Sequence, residues 1–68
     1  MSNTQEKLIP CPCCGTPMFT MEGSYEICDV CEWEDDPVQK DDPTYGGGAN
    51  TLSLNQARKE WENRQLKA

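Results

Sequence analysis

The sequence has no histidine and no long apolar run among its 68 residues. Histidine is the side chain that most often serves as a general acid or base near neutral pH, so we do not expect an enzyme. The polar start MSNTQEKL lacks the basic and apolar segments of a signal peptide, and nothing downstream is long enough to span a membrane. We therefore expect a cytoplasmic protein without a membrane part, which keeps its thiols reduced.

Basic residues are scarce. Six lysines and arginines face twelve acids, which gives a formal net charge of -6. Nucleic-acid binding draws most of its affinity from cations that neutralise phosphates, so this balance disfavours a nucleic-acid partner. Nine of the acids lie between Glu22 and Asp42, and this acidic region favours a protein partner with a basic surface. The nucleic-acid alternative would depend on four bases near the C-terminus, Arg58, Lys59, Arg64 and Lys67.

Apolar side chains are also few. Hydrophobic residues make up 35% of the chain, and that fraction includes its cysteines. The hydrophobic core of so small a domain contributes only about 3–5 kcal/mol of stability, and small domains usually add a metal, disulfides or a partner. The sequence therefore predicts a disordered tail over residues 1–8 and a single domain over residues 9–68, held together by such a link. It does not specify an oligomeric state.

Four of the five cysteines form two C-x-x-C pairs, Cys11 with Cys14 and Cys28 with Cys31. Two intervening residues let the chain curl around a metal, and two such turns together offer the four sulfur ligands that a tetrahedral zinc site needs. Amides of the intervening residues stabilise the thiolates. We predict one structural Zn²⁺ at these four cysteines. Iron also fits a four-thiolate ligand set.

Cys13 is the spare cysteine. It lies inside the first pair, and its neighbour Cys14 already has the ligand spacing. We expect Cys13 to pack beside the metal site as a small side chain. The alternative is a reactive thiol, which would make the protein a redox or metal sensor.

Between the pairs, the pattern predicts a zinc-ribbon β-hairpin over about residues 18–30, with the turn at Gly23 and Ser24. Two Asp-Asp-Pro sequences and three consecutive glycines then predict an irregular acidic loop over residues 32–50. A capping box of Ser53 and Gln56 predicts a C-terminal helix over about residues 54–65, with Trp61 docked on the ribbon. The fold class is thus a small metal-stapled α+β domain.

Three segments in this order, PCPCCG, GSYEICDVCEWEDDPVQ and GGANTLSLNQAR, resemble the bacterial cysteine-rich CPCC family. The resemblance covers about Pro10 to Trp61. It implies a small metal-binding ribbon without an established enzymatic activity, and it is compatible with a toxin-neutralising or defence accessory. Asp29 and Glu32 depart from the proline and the aromatic residue that the family pattern predicts, which makes the second pair more acidic.

These observations favour a non-catalytic protein–protein interaction module, with an inhibitor or immunity role as one form of it. The predicted partner surface consists of acids and aromatics of the acidic loop, namely Trp33, Glu34, Asp35, Asp36, Asp41, Asp42 and Tyr45. Trp33 has a second interpretation, in which its side chain shields the metal or meets Trp61.

Overall fold

In a computed structural model, the protein is described over residues 7–67 and is a small α+β domain. Its elements in chain order are strand β1 (Ile9–Pro10), strand β2 (Pro17–Phe19), helix α1 (Pro37–Asp41) and helix α2 (Leu54–Lys67). Most of the predicted disordered tail lies outside the described residues. Lys7 and Leu8 are described, and they have no regular secondary structure.

The hairpin encloses the first cysteine pair. Strands β1 and β2 pair antiparallel, with Ile9 opposite Phe19. The sequence-based hairpin over residues 18–30 is therefore misplaced: β2 ends at Phe19, and the later segment contributes one isolated bridge, from Ile27 to Glu34. Pro10 and Pro17 lie within the strands and weaken the strand signal, because proline cannot donate a ladder hydrogen bond.

The predicted acidic loop is not irregular throughout, because α1 lies inside it. Asp36 caps this helix: its carboxylate accepts hydrogen bonds from the amides of Val38 (2.8 Å) and Gln39 (3.4 Å). Proline follows the cap at the first helical position, where its fixed φ favours a helix and its missing N–H is not needed. Asp36 and Pro37 therefore start a helix within the segment that was predicted to be an irregular loop.

The C-terminal helix begins where the sequence predicts and ends two residues beyond the predicted residue 65, at Lys67. The capping box is confirmed. The Ser53 amide donates to Gln56 Oε1 (2.9 Å), and the Gln56 amide donates to Ser53 Oγ (3.1 Å). These reciprocal bonds satisfy two backbone amides that a helix N-terminus leaves unpaired.

The hydrophobic core is small and consists largely of the cysteine pairs. Its buried members are Cys11, Phe19, Cys28, Cys31, Trp33 and Leu54. Trp61 is partly buried and packs against this cluster, as predicted from the helical spacing. None of the helices in the described part of the chain has the length and apolar character required to cross a membrane.

Candidate metal centre

The structure brings the four predicted ligands into one cluster. All four Sγ atoms, those of Cys11, Cys14, Cys28 and Cys31, lie within 4.8 Å of one another. Cys11 Sγ is 3.5 Å from Cys31 Sγ, and Cys14 Sγ is 3.7 Å from Cys28 Sγ. Sulfurs that surround Zn²⁺ tetrahedrally at about 2.3 Å lie about 3.8 Å apart, so the donor type and the spacing both fit a tetrahedral metal ion.

The two cysteine pairs have the same backbone hydrogen bonds. In the first, the Cys11 amide donates to Thr16 O (2.8 Å) and the Gly15 amide donates to Cys11 O (2.7 Å). In the second, the Cys28 amide donates to Trp33 O (2.9 Å) and the Glu32 amide donates to Cys28 O (2.8 Å). We call these segments, residues 11–16 and 28–33, the first and second knuckles. Each places two sulfurs on the same side of a tight turn.

Backbone amides also point at one sulfur in each knuckle. The Cys13 amide lies 3.4 Å from Cys11 Sγ, and the Val30 amide lies 3.4 Å from Cys28 Sγ. An N–H donor next to a sulfur stabilises the thiolate that a metal requires. The knuckle geometry thus supplies ligands and the amides that support them.

The metal-free sulfurs differ in proton affinity. Burial raises the pKa of the Cys11 thiol beyond the normal range and raises the pKa of the Cys31 thiol to about 12. Burial also acts to raise the pKa of Cys14, but hydrogen bonds with the hydroxyl and amide of Thr16 and with the Cys31 and Cys28 sulfurs together outweigh it and lower this pKa to about 7. A metal ion must displace the protons that the cluster holds, so binding releases protons.

Cys13 is outside the four-sulfur cluster. It is half-buried, packs against the core and occupies the position in the first knuckle that Val30 occupies in the second. Burial is the largest influence on its thiol and raises its pKa, whereas a reactive thiolate needs a lowered pKa. These features favour the interpretation of Cys13 as a small packing residue.

The predicted partner surface is divided by burial. Trp33, Asp35 and Asp36 are only 3%, 2% and 5% exposed, so they do not form a solvent-facing surface. This corrects the sequence-based assignment of these three residues. Trp33 belongs to the core, and Asp35 Oδ2 accepts hydrogen bonds from two backbone amides of the Gly23 turn, at 2.7 and 3.4 Å. The acidic stretch of sequence around these residues indicates exposure, so it gave no sign of their buried structural roles.

The remaining residues of that predicted surface are accessible. Glu34 is half-buried, while Asp41, Asp42 and Tyr45 are exposed. The bases of α2 are partly engaged by the chain itself. Arg58 Nε donates to Pro12 O (2.8 Å), and the Arg64 guanidinium lies 5.8 Å from the ring centroid of Trp61. These contacts reduce the basic surface on which the nucleic-acid alternative depends.

No sequence pattern singled out Gln39, which is fully buried and organises the glycine-rich loop around Gly46, Gly47 and Gly48. Its Nε2 donates to the carbonyl oxygens of Tyr45 (3.0 Å), Asn50 (3.1 Å) and Leu52 (3.0 Å). The one available signal was the glycine run itself. A Cβ at Gly48 would lie 2.5 Å from Asp36 Oδ2 and 3.1 Å from the Gln39 side chain, so this position requires glycine for close approach.

Comparison with known proteins identifies a family. The family model described as "Cysteine-rich CPCC" matches residues 9–64, which include both knuckles and most of α2. A search of curated proteins finds no match to the chain.

Proposed function

The chain belongs to the cysteine-rich CPCC family, and on that premise we propose that it is a small non-catalytic protein that binds one structural Zn²⁺ and recognises a basic protein partner. The observation that carries the metal-binding part is the convergence of four Sγ atoms within 4.8 Å of one another. Cys11, Cys14, Cys28 and Cys31 are the proposed ligands.

The proposed metal is structural. Zinc bound by four thiolates has no open coordination position for water, and this arrangement is typical of sites that stabilise a fold. Three of the four sulfur ligands, those of Cys11, Cys28 and Cys31, are also buried members of the core. A bound ion would therefore hold together the centre of the molecule. Iron has the same ligand preference and is the alternative that metal analysis distinguishes.

The proposed location is a reducing compartment such as the cytoplasm. All five cysteines are free, and the four in the cluster can bind a metal only as thiolates. An oxidising compartment would favour disulfides between the same sulfurs.

The proposed partner is a protein with a basic surface. The net charge is -6, and Asp41, Asp42 and Tyr45 are all exposed, with the Tyr45 amide donating to Asp42 O (3.0 Å). An acidic surface accelerates encounter with a positive one and suits an inhibitor or accessory factor of a nucleic-acid-binding protein. Such binding weakens as salt screens the charges.

Native mass spectrometry and metal analysis test the metal site. Protein purified from its own host is expected to contain one zinc ion per chain. Cys14→Ser and Cys28→Ser each remove a ligand and should reduce zinc retention strongly, whereas Cys13→Ser is the matched control and should retain one ion. Absence of metal from the natively purified protein, or equal loss in all three variants, would overturn the assignment of the four ligands.

A further inference from the structure

A groove of about 370 Å³ lies beside the candidate metal centre, between the second knuckle and α2. Its apolar lining includes Trp33, Ala57 and Trp61, and Cys13 and Cys31 adjoin it. The volume is within the range of roughly 300–1,000 Å³ that is typical of ligand pockets. It is large enough for one or two side chains of a partner.

The rim of this groove is acidic. Glu32, Glu34 and Glu60 line it, and Arg64 is the single basic residue among its lining residues. The guanidinium of Arg64 lies 5.8 Å from the ring centroid of Trp61, which is within the range of a cation–π interaction. The chain's own arginine therefore shows that the ring of Trp61 accommodates a guanidinium. Because Arg64 is exposed, an incoming cation can replace it.

Trp33 adds a second observation. Its side chain is 3% exposed, and its Nε1 has no hydrogen-bond partner within the described part of the chain. A buried donor without an acceptor costs free energy. Because Trp33 lines the groove, a segment seated there would lie next to the residue that carries this unpaired donor.

We propose that this groove is the docking site for a partner segment in which an arginine or lysine is adjacent to an apolar side chain. The cation lies against Trp61 between Glu34 and Glu60, and the apolar side chain packs over Ala57. The inference rests on the proposed function, because it assigns the basic partner to a definite surface. It moves the interface from Asp41, Asp42 and Tyr45 to the groove between the second knuckle and α2.

The test uses the zinc-loaded full chain and the peptide Ac-Gly-Leu-Arg-Leu-Arg-Gly-NH2, with glutamates replacing the arginines in the control peptide. Titrations are followed by ¹H–¹⁵N NMR. The arginine peptide is expected to shift the indole and backbone signals of Trp33 and Trp61, and the glutamate peptide is expected to leave them unchanged.

Variants then distinguish binding in the groove from nonspecific attraction of the arginine peptide to an acidic protein. Glu60→Gln should weaken binding of the arginine peptide by about two- to fivefold, and Trp61→Ala should weaken it by about tenfold or more. Glu62→Gln removes the same charge from the same helix, outside the groove lining, and should leave the affinity unchanged. Glu60 is exposed, so its variant keeps the test valid even if Trp61→Ala does not fold.

The outcomes distinguish this inference from the proposed function. If Asp41→Asn with Asp42→Asn weakens binding while Glu60→Gln and Trp61→Ala do not, the partner remains basic but the groove assignment is overturned. It is equally overturned if the arginine peptide does not bind, or if sedimentation shows a dimer that Trp61→Ala dissociates, which would place a second copy of the chain in the groove. Zinc content measured on the same samples reports separately on the metal centre.

Discussion

Gln39 and Asn50 are joined by three hydrogen bonds. Gln39 Oε1 accepts from the Asn50 amide (3.0 Å) and from Asn50 Nδ2 (2.9 Å), and Gln39 Nε2 donates to Asn50 O (3.1 Å). The Asn50 side chain in turn bonds to both backbone groups of Glu34, at 2.9 and 2.8 Å. Helix α1 is thereby connected through the glycine-rich loop to the segment that follows the second knuckle.

Replacement of Gln39 by leucine tests this connection. Gln39→Leu removes all five hydrogen bonds of this amide. Asn50 Nδ2 and Asn50 O keep bonds to Glu34 O and the Gly47 amide, whereas the Asn50 amide and the carbonyls of Tyr45 and Leu52 lose the partner that Gln39 provides. We expect a loss of about 2–4 kcal/mol in the free energy of unfolding, because unpaired buried polar groups are costly and the bonds form one network. Denaturant unfolding of the zinc-loaded protein, followed by tryptophan fluorescence, measures it. Gln65→Leu on exposed α2 is the control and should change stability little.

Hydrogen exchange gives a local measure of the same change. The Asn50 amide should lose protection in Gln39→Leu more than the Ala57 amide, which donates to Ser53 O (2.8 Å) at the start of α2. Equal protection of Asn50 in the variant and the wild type would show that Gln39 does not order this loop.

Asp36 fixes the same loop from its other side. Its Oδ2 accepts from the Ala49 amide (2.9 Å), while its Oδ1 caps α1. These amides, Ala49 first, outweigh burial and hold the pKa of Asp36 below its usual value. We expect Asp36→Ala to cost about 1–3 kcal/mol, whereas Asp41→Ala, an exposed carboxylate of α1, should cost much less.

The lowered pKa of Asp36 fixes the sign of the pH dependence. A carboxyl group with a folded pKa below its unfolded pKa stabilises the protein fully above the unfolded value of 3.8, and this stabilisation is lost as pH falls through the folded pKa. The difference between wild type and Asp36→Ala should therefore be the same at pH 6 and pH 7. A difference that changes between these values would contradict the assignment of the effect to this carboxylate.

Local sequence signals predicted the knuckles and the start of α2 because each depends on fixed short spacings. Two intervening residues set the sulfur pairs, and the separation of Ser53 and Gln56 sets the capping box. The hairpin was misplaced because apolar and polar residues alternate after the first knuckle as they do in a strand. The strands that actually pair, β1 and β2, lie on either side of that knuckle. The buried roles of Asp35, Asp36 and Gln39 depend on distant backbone groups, which no local pattern encodes.

Comparison of the two knuckles predicts a substitution that stabilises the protein. Gly15 and Glu32 occupy equivalent positions, and both have positive φ, 84° and 71° respectively. Glycine adopts this conformation without the strain that a side chain introduces, so Glu32→Gly should stabilise the zinc-loaded protein by about 1 kcal/mol. Gly15→Ala is the reciprocal variant and should destabilise it by a similar amount, because no atom lies within 4 Å of the added Cβ and only backbone strain acts.

Thermal unfolding of the zinc-loaded variants measures both effects. The midpoint should rise for Glu32→Gly and fall for Gly15→Ala relative to the wild type. A fall for Glu32→Gly would show that the glutamate side chain contributes more to stability than its backbone strain costs. Asp29→Asn is the control, because it changes the charge of the second knuckle without introducing a glycine. Glu62→Gly is unsuitable, because it places a glycine inside α2.

Metal removal should unfold the whole chain. Without a bound ion, the buried core consists of Phe19, Trp33 and Leu54 and of cysteine thiols that no metal ion links together. Structural zinc contributes on the order of 10 kcal/mol or more to the folding of such domains, which exceeds what this apolar area supplies. Chelation by EDTA is therefore expected to abolish the cooperative thermal transition and most of the helical circular dichroism. This includes the signal of α2, in which Leu54 is the one fully buried side chain among residues 54–66.

Addition of one equivalent of Zn²⁺ should restore both signals, and Cys13→Ser should behave as the wild type does throughout because its sulfur lies outside the cluster. The experiment requires a reductant, since disulfides between the freed thiols would otherwise imitate an ordered apo state. A reduced, metal-free chain that still unfolds cooperatively would mean that the polar network around Gln39 and the packing of Trp33 are sufficient for folding. The four cysteines would then need another explanation.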